Sequence, residues 1–156
     1  MKISAGILLY RQVSKELQVF LVHPGGPFWK HKDEGAWSIP KGETEGKTEL
    51  LAVARKEFQE ETGTAIDGDF TALQPVKLKS GKVIHAFTIE GDIDADTIRS
   101  NTFPLEWPPR SGKTIQVPEV DKAGWFTVAE ARKKMNPAQA AMLDELLHIL
   151  EAKPAK

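Results

Sequence analysis

The feature that most constrains this chain is the stretch Gly42 to Gly63, "GETEGKTELLAVARKEFQEETG", whose helical pattern begins near Thr48, because its last turns place charge where a helix needs grease. Projected at about 100° per residue, Leu50, Leu51, Val53, Ala54 and Phe58 form an apolar stripe. Glu57 and Glu61 fall within about 20° of Leu50, and Glu60 borders the stripe. A helix built only for solubility would turn those carboxylates to the side occupied by Ala52, Arg55 and Gln59. Acids crowded on a core-facing edge repel one another and lose hydration, so they drift toward protonation unless a cation sits among them. The helix end offers no relief, since its dipole disfavours anions there. Lys56 alone is too little charge, whereas a hard divalent ion such as Mg²⁺ or Mn²⁺ suits carboxylate oxygens at helical spacing. Ions held this way keep waters and complete their shell with substrate phosphates, which points to phosphoryl chemistry.

The rest of the chain supplies a frame of one domain. At 156 residues it can bury a core without staples, and residues 1–152 read as a single unit followed by a disordered tail, 153–156. "ISAGILLYRQV" and "LQVFLVH" read as a strand hairpin turned by "SKE". "PGGPFWKHKDEGA" reads as an ordered loop carrying Phe28 and Trp29. Thr48 is the expected N-cap of the acidic helix and Gly63 its stop. "FTALQPVKLK" and "KVIHAFTIE" read as a second hairpin interrupted at Pro75, and "RSNTFPLEWPPRSGKTIQVPE", with four prolines, as a long surface loop. "GWF" is a short strand candidate, "VAEARKKM" a helix, and "NPAQAAMLDELLHILEA" a second helix capped by Asn136.

A net charge of −1 excludes bulk attraction to nucleic acid or anionic lipid, and no apolar run spans a membrane. With no cysteine there is no disulfide or thiolate site, and "MKISAGILLY" has no signal-peptide core, so the expectation is a cytoplasmic protein. The chemistry leaves a homodimer open.

The acidic helix with its flanks resembles the Nudix box. Gly42, Lys56, Glu57, Phe58, Glu60, Glu61 and Gly63 fall on its first glycine, its Arg position, its metal-binding glutamates, its apolar position and its closing glycine. Three positions depart: Thr48 stands where the box has its first Glu, with Glu49 one place late; Lys56 replaces Arg; Thr64 replaces the final apolar residue. In the family that first Glu supports the metal site and the Arg braces loop against helix; Lys keeps the charge without the bidentate fork. Further segments, among them "GAWSIPKGE" and "PEVDKAGWF", are similar to a bacterial branch of predicted pyrophosphohydrolases. "PKG" and Glu119, six residues before Trp125, are similar to diadenosine polyphosphate hydrolases, and "PKG" also to diphosphoinositol polyphosphate hydrolases.

The resemblance implies an α/β/α sandwich with a mixed sheet between helices and Mg²⁺- or Mn²⁺-dependent hydrolysis of a nucleoside diphosphate linked to a group X. Dinucleoside polyphosphates and nucleoside triphosphates lead as substrates. It also implies a metal site of Glu57, Glu60, Glu61 and Gly42, with Glu61, Glu60 and Glu119 in catalysis and Glu61 or Glu119 as base. Lys41, Arg110 and Lys113 are candidates for substrate phosphate, and Trp29 for stacking. Each has a plainer reading as a solvated loop residue or a core seal. His23, His31, His85 and His148 lack ligand spacing and read as structural. The departures at Thr48 and Lys56 keep a second class open, a nucleotide-binding module on the same fold with little turnover.

Overall fold

The computed structural model describes residues 3–45 and 49–152. Thr48, the expected N-cap, and the tail 153–156 lie outside the described residues.

The apolar run at the start forms β1 (Ile3–Val13), which turns into β2 (Glu16–Pro24) as an antiparallel hairpin with Tyr10 opposite Val19. Its two turn residues, Ser14 and Lys15, have φ of 52° and 68°, the pairing a primed turn needs and one that Asn-Gly fills with less strain. Replacing Ser14 by Asn together with Lys15 by Gly is expected to raise unfolding free energy by about 1 kcal/mol in urea titration, since two side chains leave the left-handed region. An unchanged midpoint would show that the turn carries no strain.

Beyond Val19 the two strands part. Val22 and Ser38 exchange backbone hydrogen bonds, Ile7 N–H donates to the Pro40 carbonyl, and β3 (Lys41–Thr44) runs antiparallel along the remaining length of β1. The chain just before the acidic helix is thereby wedged between two central strands. On the other edge of β1, β6 (Val83–Glu90) lies parallel, and β4 (Thr71–Ala72) and β5 (Val76–Lys77) both pair antiparallel with β6. The break between β4 and β5 holds Pro75, which has no N–H to give a ladder. The short "GWF" expectation falls inside the longer β9 (Val120–Thr127), antiparallel to β2, completing a mixed seven-stranded sheet.

The expected acidic helix is α1 (Leu50–Thr62), with Glu49 at the N-cap and Gly63 ending it at φ 79°. Ala54 and Phe58 are fully buried against Ile7, Leu9 and Phe20 on one face of the sheet. The other face is covered by α2 (Val128–Lys134), held by a Thr127–Glu130 capping box, and α3 (Ala141–Ala152). There Ala131, Met135, Met142 and Leu143 pack on Leu8, Leu21 and Trp37. Helices on both faces of a mixed sheet make the expected α/β/α sandwich.

Two expectations are corrected. The stretch read as a long loop contains a separate two-stranded hairpin, β7 (Thr102–Glu106) and β8 (Thr114–Pro118). Its prolines are tolerated because neither strand enters the main sheet. The final helix does not run unbroken from Asn136. Asn136 does cap, accepting from Ala138 N–H, but Pro137–Gln139 forms a 3-10 turn before α3. Buried Gln139 accepts from Ile39 N–H and donates to Ser38 Oγ, and these tertiary bonds hold the turn apart from the helix. Among the described residues no helix is long and apolar enough to cross a membrane.

Candidate active site

The last turns of α1 deliver Glu57, Glu60 and Glu61 to the place where β1 and β2 part, and the chain entering β9 brings Glu119 to meet them. One carboxylate oxygen from each of Glu57, Glu60 and Glu119 lies within 4.8 Å of the others. Glu61, only 7% exposed, points to the wedge instead: Lys41 backbone N–H donates to its Oε2 at 3.2 Å. Gly42 beside it has no side chain for a physical reason, since a Cβ there would stand 2.1 Å from Cδ of Glu57. Lys56 reaches back to Glu60 at 3.7 Å as an exposed i,i+4 pair, an interaction worth a few tenths of a kcal/mol at most.

The charges are held at a cost. Burial pushes the Glu61 carboxyl up from its ordinary 4.5 to about 8; Lys41 opposes the shift, and Glu119 and Glu57 add to it. Glu57 is raised by burial, then by Glu60 and Glu119, and Glu119 is raised by burial and Glu60. Lys41 is lowered by burial and by Lys82, which itself pairs with Glu43 at 2.6 Å, while Glu61, Glu43 and Glu57 pull Lys41 upward. Acids this close repel one another at the dipole's negative end. The donor set fits a hard divalent cation: it is all oxygen and convergent, and such ions take carboxylate oxygens at about 2.1 Å.

These residues open onto a cleft of about 570 Å³ whose walls include Lys41, Gly42, Glu57, Glu61, Glu119 and Trp29. Trp29 sits edge-on to exposed Phe28, their centroids 5.3 Å apart, and the Lys32 ammonium lies 4.0 Å from the Phe28 ring centre. Arg110 and Lys113 are brought elsewhere, to the exposed end of the β7–β8 hairpin, outside the walls of the cleft. His85 lies on β6 opposite Ala5 of β1. The sequence reading missed Phe103, Leu78 and Gln139, which also line the cleft. A signal for Phe103 was present: Phe103, Leu105 and Trp107 alternate with polar residues and Pro104, and Val117 and Ile115 answer them across the hairpin.

A family model described as the NUDIX domain matches residues 1–146, and the chain belongs to that family. It is thereby classed as a Nudix pyrophosphohydrolase acting on phosphoanhydride bonds. Among solved structures, an Ap4A hydrolase of C. elegans in a binary complex is similar at 15% identity and a TM-score of 0.64, covering 98% of this chain and 100% of that one. The NUDIX domain of Shewanella oneidensis NrtR, complexed with ADP ribose, is 16% identical with a TM-score of 0.61, covering 96% and 88%. MutT, from work on Aliivibrio salmonicida and Vibrio cholerae, is 14% identical with a TM-score of 0.56, covering 94% and 96%. At these identities the likeness is one of fold. Among curated proteins nothing matches the chain.

Proposed function

We propose that the protein is a Mg²⁺- or Mn²⁺-dependent hydrolase that cleaves a pyrophosphate link in a nucleoside diphosphate–X substrate, with dinucleoside polyphosphates and nucleoside triphosphates foremost. The observation that carries this reading is the convergence of Glu57, Glu60 and Glu119 beside a cleft that also contains Lys41 and Trp29. Glu57, Glu60 and Glu119 would hold the ion, which when bound polarises phosphoryl oxygen and acidifies water. The chain's own groups do the rest. Lys41 offers a compact positive charge to a substrate phosphate. Glu61, buried and fixed by the Lys41 N–H, titrates at about 8 in the metal-free protein; a cation on the neighbouring carboxylates would draw that proton off and leave Glu61 free to accept the proton of the attacking water. Trp29 and Phe103 offer apolar surface for a base.

The test is a panel of phosphoanhydrides incubated with Mg²⁺ and wild-type or Glu57→Gln/Glu60→Gln protein. Product from the wild type alone, with base-bearing substrates favoured over inorganic tripolyphosphate, is the expected result. Equal turnover by both proteins would overturn the assignment of the site. Tight calorimetric binding of nucleotide without product over hours would replace the enzyme by a binding module, which the Thr48 and Lys56 departures favour.

A further inference from the structure

We propose that His23 is a positioning residue: it pins the β-bulge that aims Glu119 at the α1 carboxylates, and with the other side of its ring it ties down the loop carrying Trp29. The inference rests on the reading of Glu119 as a metal ligand and Trp29 as a substrate wall.

His23 ends the regular part of β2 and is fully buried. Both ring nitrogens are engaged: Nδ1 lies 2.8 Å from Asp121 Oδ1, and Nε2 donates to the Lys32 carbonyl at 2.6 Å. The partners belong to different parts of the site. The β2–β9 register runs Val22 opposite Ala123 and His23 opposite Lys122, then Pro24 opposite Val120, so Asp121 is an extra residue without a ladder partner. Strand faces alternate, and one extra residue inverts every side chain that precedes it. Ala123 and Trp125 pack with the α1-side core, so an unbroken strand would turn Asp121 to that face and Val120 away from it. Instead Val120 is buried in the α1-side core and Asp121 shares the face of His23. The inversion therefore decides which way the chain at Glu119 enters the sheet. Glu119 itself is held on both sides by backbone, donating from N–H to the Asn101 carbonyl at 2.9 Å and accepting from Gly25 N–H at 3.1 Å.

The second partner reaches the substrate wall in one step. Lys32 receives the His23 Nε2–H on its carbonyl while its own N–H donates to the Trp29 carbonyl at 2.9 Å. Trp37 packs edge-on to the His23 ring at 5.3 Å and leaves it little freedom to turn. A single imidazole thus spans the two segments, Glu119–Asp121 and Trp29–Lys32, that the cleft needs in register.

The experiment compares full-length His23→Ala, Asp121→Ala and Asp121→Asn with wild type, well below the melting temperature of each. Mn²⁺ affinity is read by calorimetry in the absence of substrate, and KM and kcat on whichever phosphoanhydride the panel selects. Expected for both Ala variants is Mn²⁺ affinity weakened about tenfold and KM raised several-fold, with kcat at saturating metal and substrate within about twofold. Asp121→Asn, whose amide can donate to or accept from the ring nitrogen, should recover most of the loss. A merely structural histidine would lower melting temperature while leaving Mn²⁺ affinity and KM at wild-type values, and that result overturns the proposal. If His23→Ala fails to fold, Asp121→Ala decides on the same readouts. Wild-type protein that binds no Mn²⁺ ends the metal reading and this inference together. Binding lost in Glu57→Gln but untouched in both Ala variants ends this inference alone.

Discussion

Glu61→Gln is expected to stabilise the metal-free protein at pH 8 while removing its turnover. The folded-state carboxyl titrates at about 8 against an ordinary 4.5. Between those values the folded protein keeps a proton that the unfolded chain releases, so the stability this group contributes is complete below 4.5 and is lost as pH rises through 8. The difference, 8 − 4.5, is 3.5 pH steps. At about 1.4 kcal/mol each, it sets a ceiling of about 5 kcal/mol, and relaxation of the site brings the realised effect nearer 2 kcal/mol. Gln cannot ionise and still offers an oxygen to the Lys41 N–H. Urea unfolding in EDTA should show variant and wild type close at pH 5 and the variant ahead at pH 8. Turnover should fall by about 10²–10⁴, the range for losing a general base. A stability gap that is the same at both pH values would show that Glu61 is not held protonated by burial.

Gly42→Ala should separate activity from folding. The three atoms nearest the new methyl all belong to one flexible side chain, Cδ, Oε2 and Cγ of Glu57 at 2.1, 2.3 and 2.5 Å. β3 can stay where it is, and Glu57 must swing out of the carboxylate cluster. A misplacement of about 1 Å near reacting groups costs on the order of 10²-fold, so kcat/KM should drop about a hundredfold with far-UV circular dichroism unchanged. Gly6→Ala is the control for the opposite case. Its methyl would meet the Pro40 carbonyl oxygen at 2.5 Å, which is backbone, and that variant should lose stability. Equal activity in Gly42→Ala and wild type would mean that Glu57 is not needed in its observed place.

What could be read from the chain follows from distance along it. Glu57, Glu60 and Glu61 share one helix, so spacing alone set Glu57 and Glu61 in the apolar stripe and Glu60 at its border, and Gly63 marked where that helix ends. The finer division of labour among them was not legible. That Glu61 turns to Lys41 while Glu119 joins Glu57 and Glu60 depends on how the wedge between β1 and β2 meets α1. Glu119 entered only through resemblance, since a bulge one residue long decides its direction and no local pattern announces a bulge. His23 read only as structural for the same reason: its partners lie nine and ninety-eight positions away. The β7–β8 hairpin was hidden by its prolines, which argue against strands in a main sheet but not against an arm that stands alone.

The parallel alignment of Ile3 with Val83 has a consequence for how the chain matures. A ribosome must release everything up to Glu90 before the strand at the N-terminus can find its long-range neighbour. Contacts this distant in sequence slow collapse to the native form. Until then the apolar segment Ile3–Leu9, which lies beyond the β1–β2 register of Tyr10–Val13, has β3 on one edge and nothing on the other, and such an open edge is a surface a chaperone can bind during synthesis.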